Sequence, residues 1–386
     1  MEEDRISQLP DAILQQILSL IDINEAVQTS ILSTRWKNLS FSLPDLRFHL
    51  MSRFSAFVSN FLSHRDGAAP IRSFHLSFDS HVHADAAFVH QCVIYAVNHG
   101  VRSLRLHAHC RPDLTLPEAL FASETLRELE LRQFRYVIWK PNHFSYLQHL
   151  KTLYLESTAL VNIDDRGCYF CLKEPFSGLP ELEKLTIGRS LVYGLIVKAP
   201  KLRVLEIIDQ EYSYSHMMVE IYAPLLTSFR YEGLLPLVCS KVNLPILEEV
   251  HLSIHKRQQQ FFSKFDEERM LLNCVRMLQQ LGNAKIVALS LDTLKILEMD
   301  GGLIEQSPCP FPYMKCLKII QRRRKFSTVL RRVMNFLTEG ILYFESLVVE
   351  LPQGVNVVEK SYQDLLEDDS DEQQLKLLFG IEEEAS

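Results

Sequence analysis

The stretch ISQLPDAILQQILSLIDINEAVQTSILSTRWKNLSFSLPDL runs from Ile6 to Leu46 and decides how the rest of the chain is read. It predicts a compact three-helix unit. Pro10 suits the first turn of a helix, where a missing N–H costs nothing. Asp11 in the same turn lies favourably against the helix dipole. Ile13, Leu14, Ile17, Leu18 and Ile21 recur at helical spacing and make one wide apolar stripe. Asn24 is the expected N-cap of a second helix carrying Val27, Ile31 and Leu32. Ser33 is the expected cap of a third, with Trp36 and Leu39 one turn apart. About forty residues cannot bury all that apolar surface internally. Two readings follow: a helical cap on the next domain, or a module that docks a partner.

Leu9-Pro10-Asp11, the Ile-Leu-x-x-Ile-Leu run at Ile13 to Leu18, and Leu32-Ser33-x-Arg35-Trp36 carry a family likeness. In order and spacing, Arg5 to Leu46 resembles the F-box of plant F-box/leucine-rich-repeat proteins, the FBD-like group included. The resemblance implies a receptor subunit of an SCF-type (Skp-cullin-F-box) ubiquitin ligase. Its F-box would bind a Skp-type adaptor and through it a cullin. The positions matching the family's adaptor-contacting motif are Leu9, Pro10, Ile13, Leu14, Ile17, Leu18, Val27, Leu32 and Trp36. Some of these must also serve the small core of the F-box itself.

The 386 residues predict two to three domains. A formal net charge of −7 argues against general nucleic-acid binding, which usually shows a basic footprint. No apolar run approaches the roughly 18 residues needed to span a membrane. The acidic start lacks the basic and apolar regions of a signal peptide. The expectation is an intracellular protein, in nucleus, cytoplasm or both, without membrane attachment. The eight cysteines are scattered, as buried thiols of a reducing compartment are. Cys168 and Cys171 form one C-x-x-C, but zinc needs a second ligand pair, so no metal is expected.

Beyond the F-box, a helix is expected over Arg53–His64 and a strand from Ile71 to Leu76. Asp85 should cap a helix that Gly100 ends. A template L-x-x-L-x-L then recurs. It fits Val101-Leu104-Leu106, Leu126-Leu129-Leu131, Leu150-Leu153-Leu155, Leu182-Leu185-Ile187, Leu202-Leu205-Ile207, Leu226-Phe229-Tyr231 and Leu247-Val250-Leu252. Looser copies are Ile71-Phe74-Leu76, Ile286-Leu289-Leu291, Met314-Leu317-Ile319 and Phe344-Leu347-Val349. The central intervals are 25, 24, 32, 20, 24 and 21 residues, mostly within the leucine-rich-repeat range of about 20 to 29. The usual Asn or Cys three places after the third apolar position is missing. His109, Phe134, Thr158, Ser190, Gln210, Leu234 and His255 stand there instead. The expected fold is α/β: the three-helix F-box, then an irregular leucine-rich-repeat solenoid. That solenoid is a curved parallel sheet with helices or turns on its convex side. The expected divisions are 1–50 for the F-box, 51–258 for the repeat array, 259–358 for longer helix–strand units and 359–386 for a tail. In the third division, helices are expected from Phe261 to Gly282 and from Val329 to Ile341. The tail carries ten acidic and two basic residues and should stay solvated and unstructured.

No catalytic constellation is evident. Phosphate-binding glycine loops, G-x-S-x-G and H-E-x-x-H are absent, so the chain is read as non-enzymatic and without cofactors. Seven histidines lie between His75 and His109, and His107 and His109 are expected to share a strand face. Ordinary surface and core histidines explain them. Arg322 to Lys325 is the one basic run, read as a solvated loop. The functional expectation is a substrate-recruiting ligase subunit whose repeats hold an unidentified target protein. The alternatives are a small-molecule-gated receptor for a hormone or inositol phosphate, and an F-box scaffold outside a ligase. Strand alternation turns a column of side chains outward, from which Arg105, Glu130, Tyr154, Arg230 and His251 are expected to contact the target.

Overall fold

The computed structural model describes the chain except residues 1–4, 7, 51–54, 112, 135, 139–146, 164–168, 172–173, 190–194, 211–217, 256–263, 300, 321–327, 342–343, 351–356, 361–373 and 377–386. It divides into two compact units, 1–183 and 184–386.

The first unit opens with α1 (Asp11–Leu18), α2 (Ile23–Gln28) and α3 (Thr34–Phe41). Pro10 sits just outside α1, at its N-cap, instead of within the first turn. The cap of α2 is Asp22, whose carboxylate accepts from Asn24 N–H, and not Asn24 as expected. Ser33 caps α3 by accepting from Trp36 N–H. The helix expected to carry Ile31 and Leu32 ends at Gln28, and a 3-10 turn over Thr29–Ile31 follows it.

Five parallel strands follow: β1 (Asp45–Leu50), β2 (Ser73–Phe78), β4 (Ser103–His107), β7 (Glu128–Arg132) and β9 (Thr152–Glu156). Their inward residues, such as Phe74, Leu104, Leu129 and Leu153, are buried in register. The first strand was not anticipated. Leu43-x-x-Leu46-x-Phe48 is a further copy of the template, and all three side chains are buried. The F-box segment therefore supplies the first strand of the sheet and cannot be separated from the core that follows.

Between the main strands run α4 (Ser55–His64), β3 (His83–Asp85), α5 (Ala86–Asn98), β5 (His109–Arg111), β6 (Leu114–Thr115), α6 (Glu118–Phe121), β8 (Tyr136–Ile138), β10 (Ala159–Ile163) and β11 (Tyr169–Cys171). Asp85 caps α5, accepting from Ala87 N–H. Gly100 follows that helix at φ +74°, a conformation that costs other residues a Cβ clash. The return segments form small sheets, β3 with β5 and β6-β8-β10-β11, where helices or turns were expected. His107 and His109 lie on different strands, β4 and β5. Thr158 takes over the vacant asparagine role, its hydroxyl donating to Leu131 O of the previous repeat at 3.3 Å. Phe134, at the same place one repeat earlier, fills the core instead.

The second unit stacks β12 (Lys184–Gly188), β14 (Val204–Gln210), β16 (Ser228–Gly233), β18 (Glu249–Ile254), β19 (Ile286–Ser290), β20 (Cys316–Ile320) and β22 (Ser346–Glu350), all parallel. The short strands β13 (Leu195–Lys198), β15 (Met218–Tyr222) and β17 (Val238–Asn243) pair in a separate parallel sheet. Here too the return path is extended chain. The β19 copy is shifted by two residues from the expected Ile286-Leu289-Leu291. Val287 and Leu289 pair with Val250 and Leu252, so the motif is Ala284-Val287-Leu289, and all three are buried. Leu291 instead opens α8 (Leu291–Leu297), capped by Ser290.

Helix α7 (Lys264–Gln280) agrees with the long apolar pattern. Gly282, the expected end of that helix, lies in a tight place. A Cβ there would meet Pro310 O at 2.8 Å, so the residue must be small. After α9 (Gly301–Glu305), the second expected helix begins as β21 (Thr328–Leu330) and only then becomes α10 (Arg331–Thr338). At the start of the acidic tail, β23 (Val357–Lys360) runs into it and pairs antiparallel with β22, and within the tail β24 (Gln374–Lys376) pairs antiparallel with β21. These strands contradict an entirely unstructured tail. Cys168 and the run Arg322 to Lys325 lie outside the described residues.

One buried charge joins the helices of the first unit to its sheet. The Arg65 guanidinium donates to Leu43 O at 2.9 Å, Ala69 O at 2.6 Å and Pro70 O at 3.0 Å. Beside it Phe41 stacks on Phe61 at 5.2 Å, and Phe61 meets Phe48 edge-on at 5.7 Å. Hydrogen bonds to a charged donor contribute roughly 1.5–3 kcal/mol each, and burying unpaired carbonyls adds a cost. Arg65→Met should therefore lower unfolding stability by about 3 kcal/mol or more. Urea unfolding followed by circular dichroism reads this directly. A loss under about 0.5 kcal/mol would show that the carbonyls find other donors.

Candidate docking surfaces

The apolar stripe of α1 splits into two edges. Leu14 and Leu18 turn inward and are buried, while Ile13 and Ile17 remain 40% and 43% exposed. Trp36 is buried on α3. Leu14, Leu18 and Trp36 are therefore corrected from docking residues to core of the F-box. A three-helix unit this small needs them inside. Leu9 and Val27 are half-buried and Pro10 is exposed. Leu32 is 63% exposed. Arg35 fixes the approach to α1, donating to Asp11 at 2.7 Å and to Leu9 O at 2.6 Å.

Two strongly exposed residues were absent from the expected set. Leu20 is 73% exposed and Ile31 is 87% exposed. The sequence signal for Ile31 was its place beside Leu32, misread because α2 was expected to continue. Ile6, Ile13, Ile17, Leu20, Ile31 and Leu32 are six of the ten exposed large apolar residues among those described. Such a concentration within one small helical unit makes it the candidate interaction surface.

The outward column in the first unit holds Arg105, Glu130 and Tyr154 in register. Arg132 organises it. Its guanidinium pairs with Glu130, reaches Glu156 at 3.1 Å, and lies 4.5 Å over the Tyr154 ring. Tyr154 donates to Glu156 at 2.9 Å. Burial and that carboxylate push the Tyr154 phenol up to about 12. Arg105 stands 3.5 Å from Glu130 and 3.7 Å from Glu128. In the second unit Arg230 and His251 are neighbours in register, and Arg230 lies 3.6 Å from Glu232. The outward column is thus there, but much of its charge is already spent internally.

One arrangement invites a catalytic reading. Ser253 Oγ is 3.2 Å from His255 Nε2, and His255 Nδ1 is 3.0 Å from Asp292. The order matches a nucleophile, base and orienting acid. Ser253 is only 1% exposed while Asp292 lies open, which is the reverse of what acyl transfer needs. Three of the described cysteines are unsuited as well. Burial pushes the thiols of Cys92, Cys239 and Cys274 up to about 12, leaving almost no thiolate at neutral pH.

An N-terminal helical unit with an exposed apolar edge is continuous with stacked parallel L-x-x-L-x-L strands. Residues 6–48 match the F-box domain family. Along most of its length the chain is similar to F-box/LRR-repeat proteins of Arabidopsis thaliana. One is 28% identical over 327 residues, covering 82% of this chain and 66% of the relative. A second is 28% identical over 314 residues, covering 76% and 63%. An F-box/FBD/LRR-repeat protein of the same plant is 28% identical over 356 residues, covering 87% and 72%. The chain therefore spans slightly under two thirds of the first two relatives.

The thiol burial has a direct test. In the native chain at pH 7.5, iodoacetamide should leave Cys92, Cys239 and Cys274 unmodified over a period in which the urea-unfolded chain reacts fully. Mass spectrometry of tryptic peptides reads the difference. Rapid native alkylation of any of the three would identify a reactive thiol.

Proposed function

We propose that this chain is the substrate-recruiting subunit of an SCF-type ubiquitin ligase. The observation that carries the reading is the exposed apolar edge of the F-box. Ile13, Ile17, Leu20, Ile31 and Leu32 would be covered by a Skp-type adaptor, with Leu9, Pro10 and Val27 at the margin. The adaptor would in turn hold the complex to a cullin. Outward side chains of the repeat strands, Arg105, Glu130 and Tyr154 in the first unit and Arg230 and His251 in the second, would contact the target. The chain then performs no covalent step. It raises the local concentration of the target near the conjugating enzyme.

The test exploits the split of the α1 stripe. Ile17→Asp with Leu32→Asp changes two exposed positions, so circular dichroism and urea stability should hold. Each carboxylate would be buried unpaired against the adaptor, at several kcal/mol. Capture of a purified plant Skp-type adaptor should fall by at least about a hundredfold in Kd. Undiminished capture by the folded double variant would overturn the assignment. Leu14→Asp, by contrast, should unfold the F-box and says nothing about docking.

A further inference from the structure

The outward face of the first unit is electrically uneven. On β1, β2 and β4 it offers nine positions in register, holding three serines, three histidines, two arginines and one aspartate. That aspartate, Asp45, is already engaged by the Arg72 guanidinium at 2.9 Å and the Ser73 hydroxyl at 2.9 Å. Arg47, His75 and Arg105 follow one another in the central row. Arg47 is exposed, and its recorded hydrogen bond is a long one, 3.5 Å to Leu20 O. No carboxylate forms an ion pair with it among the described residues. Arg105 is 53% exposed and meets its glutamates only at 3.5 and 3.7 Å. Next to the row, the Nε2 of His107 is buried without a hydrogen-bond partner among the described residues. On the following two strands the balance reverses, with Glu128, Glu130 and Glu156 present.

We propose that the β1-β2-β4 face is a recognition surface for an acidic segment of the target protein, its carboxylates held by Arg47 and Arg105 across His75. The proposal rests on the target-recruiting reading above and adds the chemistry of the partner. Burial first, and then the neighbouring Arg47 and Arg105, keep His75 below the ordinary histidine range against the opposing pull of Glu130, so the row's charge comes from the two arginines. Strands are about 4.8 Å apart, which places the two arginine positions roughly 10 Å from one another. An extended peptide rises about 3.3 Å per residue. Acidic side chains two or three residues apart therefore match the arginine spacing. A compact polyanion would bring its charge up against Glu128 and Glu130. A peptide with spaced carboxylates avoids them.

The experiment uses the full chain bound to its Skp-type adaptor as bait in a displayed library of random 12-residue peptides. Asp and Glu, two or three positions apart, should be enriched at least threefold over the starting library. An enriched peptide should bind at least tenfold more weakly to the Arg47→Ser, Arg105→Ser variant, and more weakly in 0.5 M than in 0.05 M salt. Both changes are at exposed positions, and adaptor capture by the same preparation reports that the variant is folded. An absence of enriched peptides, enrichment of neutral or apolar sequences, or acidic-peptide binding unchanged in the variant would each overturn the proposal. Failure of the adaptor to bind the chain alone would instead remove the ligase reading, and peptide enrichment would still be measured with the free chain.

Discussion

A parallel strand presents its neighbours with a ladder of N–H and C=O groups and one apolar face, and neither is satisfied by the strand alone. In this chain that requirement is met layer by layer. Phe48 needs Leu76, Leu104 needs Leu129, and Val250 needs Val287, each in strict register. Because side chains alternate, fixing the inward residues also fixes which residues face out. The outward column is therefore a by-product of the buried one. Moving a strand by one residue would bury Arg105 and expose Leu104.

The same requirement explains why the F-box ends as it does. A stack must begin somewhere, and its first strand has an uncovered edge. Here β1 comes from the F-box segment itself, and Asp22 of the helical unit accepts from His49 N–H at 2.7 Å. The helices thus cover the start of the stack with one side of their apolar material. What is left over on the other side, Ile13, Ile17 and Leu20, stays exposed among the described residues. The cap reading holds for one side of the helical unit, and the proposed docking would use the other.

Most of this was legible in the sequence because the L-x-x-L-x-L period is set by burial. Ten of the eleven copies read from the sequence lie in phase with observed strands. The β19 copy was misplaced by two residues, since Ile286 and Leu291 mimic the template while the true first position, Ala284, is a weak hydrophobic signal. The Leu43-Leu46-Phe48 copy was hidden inside a stretch read as helical. The return strands left little trace, since two to six residues carry too short an alternation to recognise. At the docking surface the apolar stripe was visible, but not its division. Helical spacing groups Leu14 with Ile17, and only the position of α3 decides which of them is covered.

On the proposed reading, the joint at Arg65 determines how usefully a bound target is held. Arg65 and the Phe41, Phe48 and Phe61 cluster place the F-box helices and the first sheet strand in one core. Residues facing an adaptor and residues facing a target then keep a fixed separation within the first unit. A flexible linker in the same place would let that separation vary with the square root of its length and dilute the target's effective concentration. The buried guanidinium is an expensive way to fasten two elements, because its N–H groups need carbonyl partners and its Nε finds none among the described residues. Ordinary apolar packing would hold the helices against the sheet with similar strength but tolerate sliding. Directional bonds to Leu43, Ala69 and Pro70 specify one orientation, which is what transfer to a particular lysine on a held target would require.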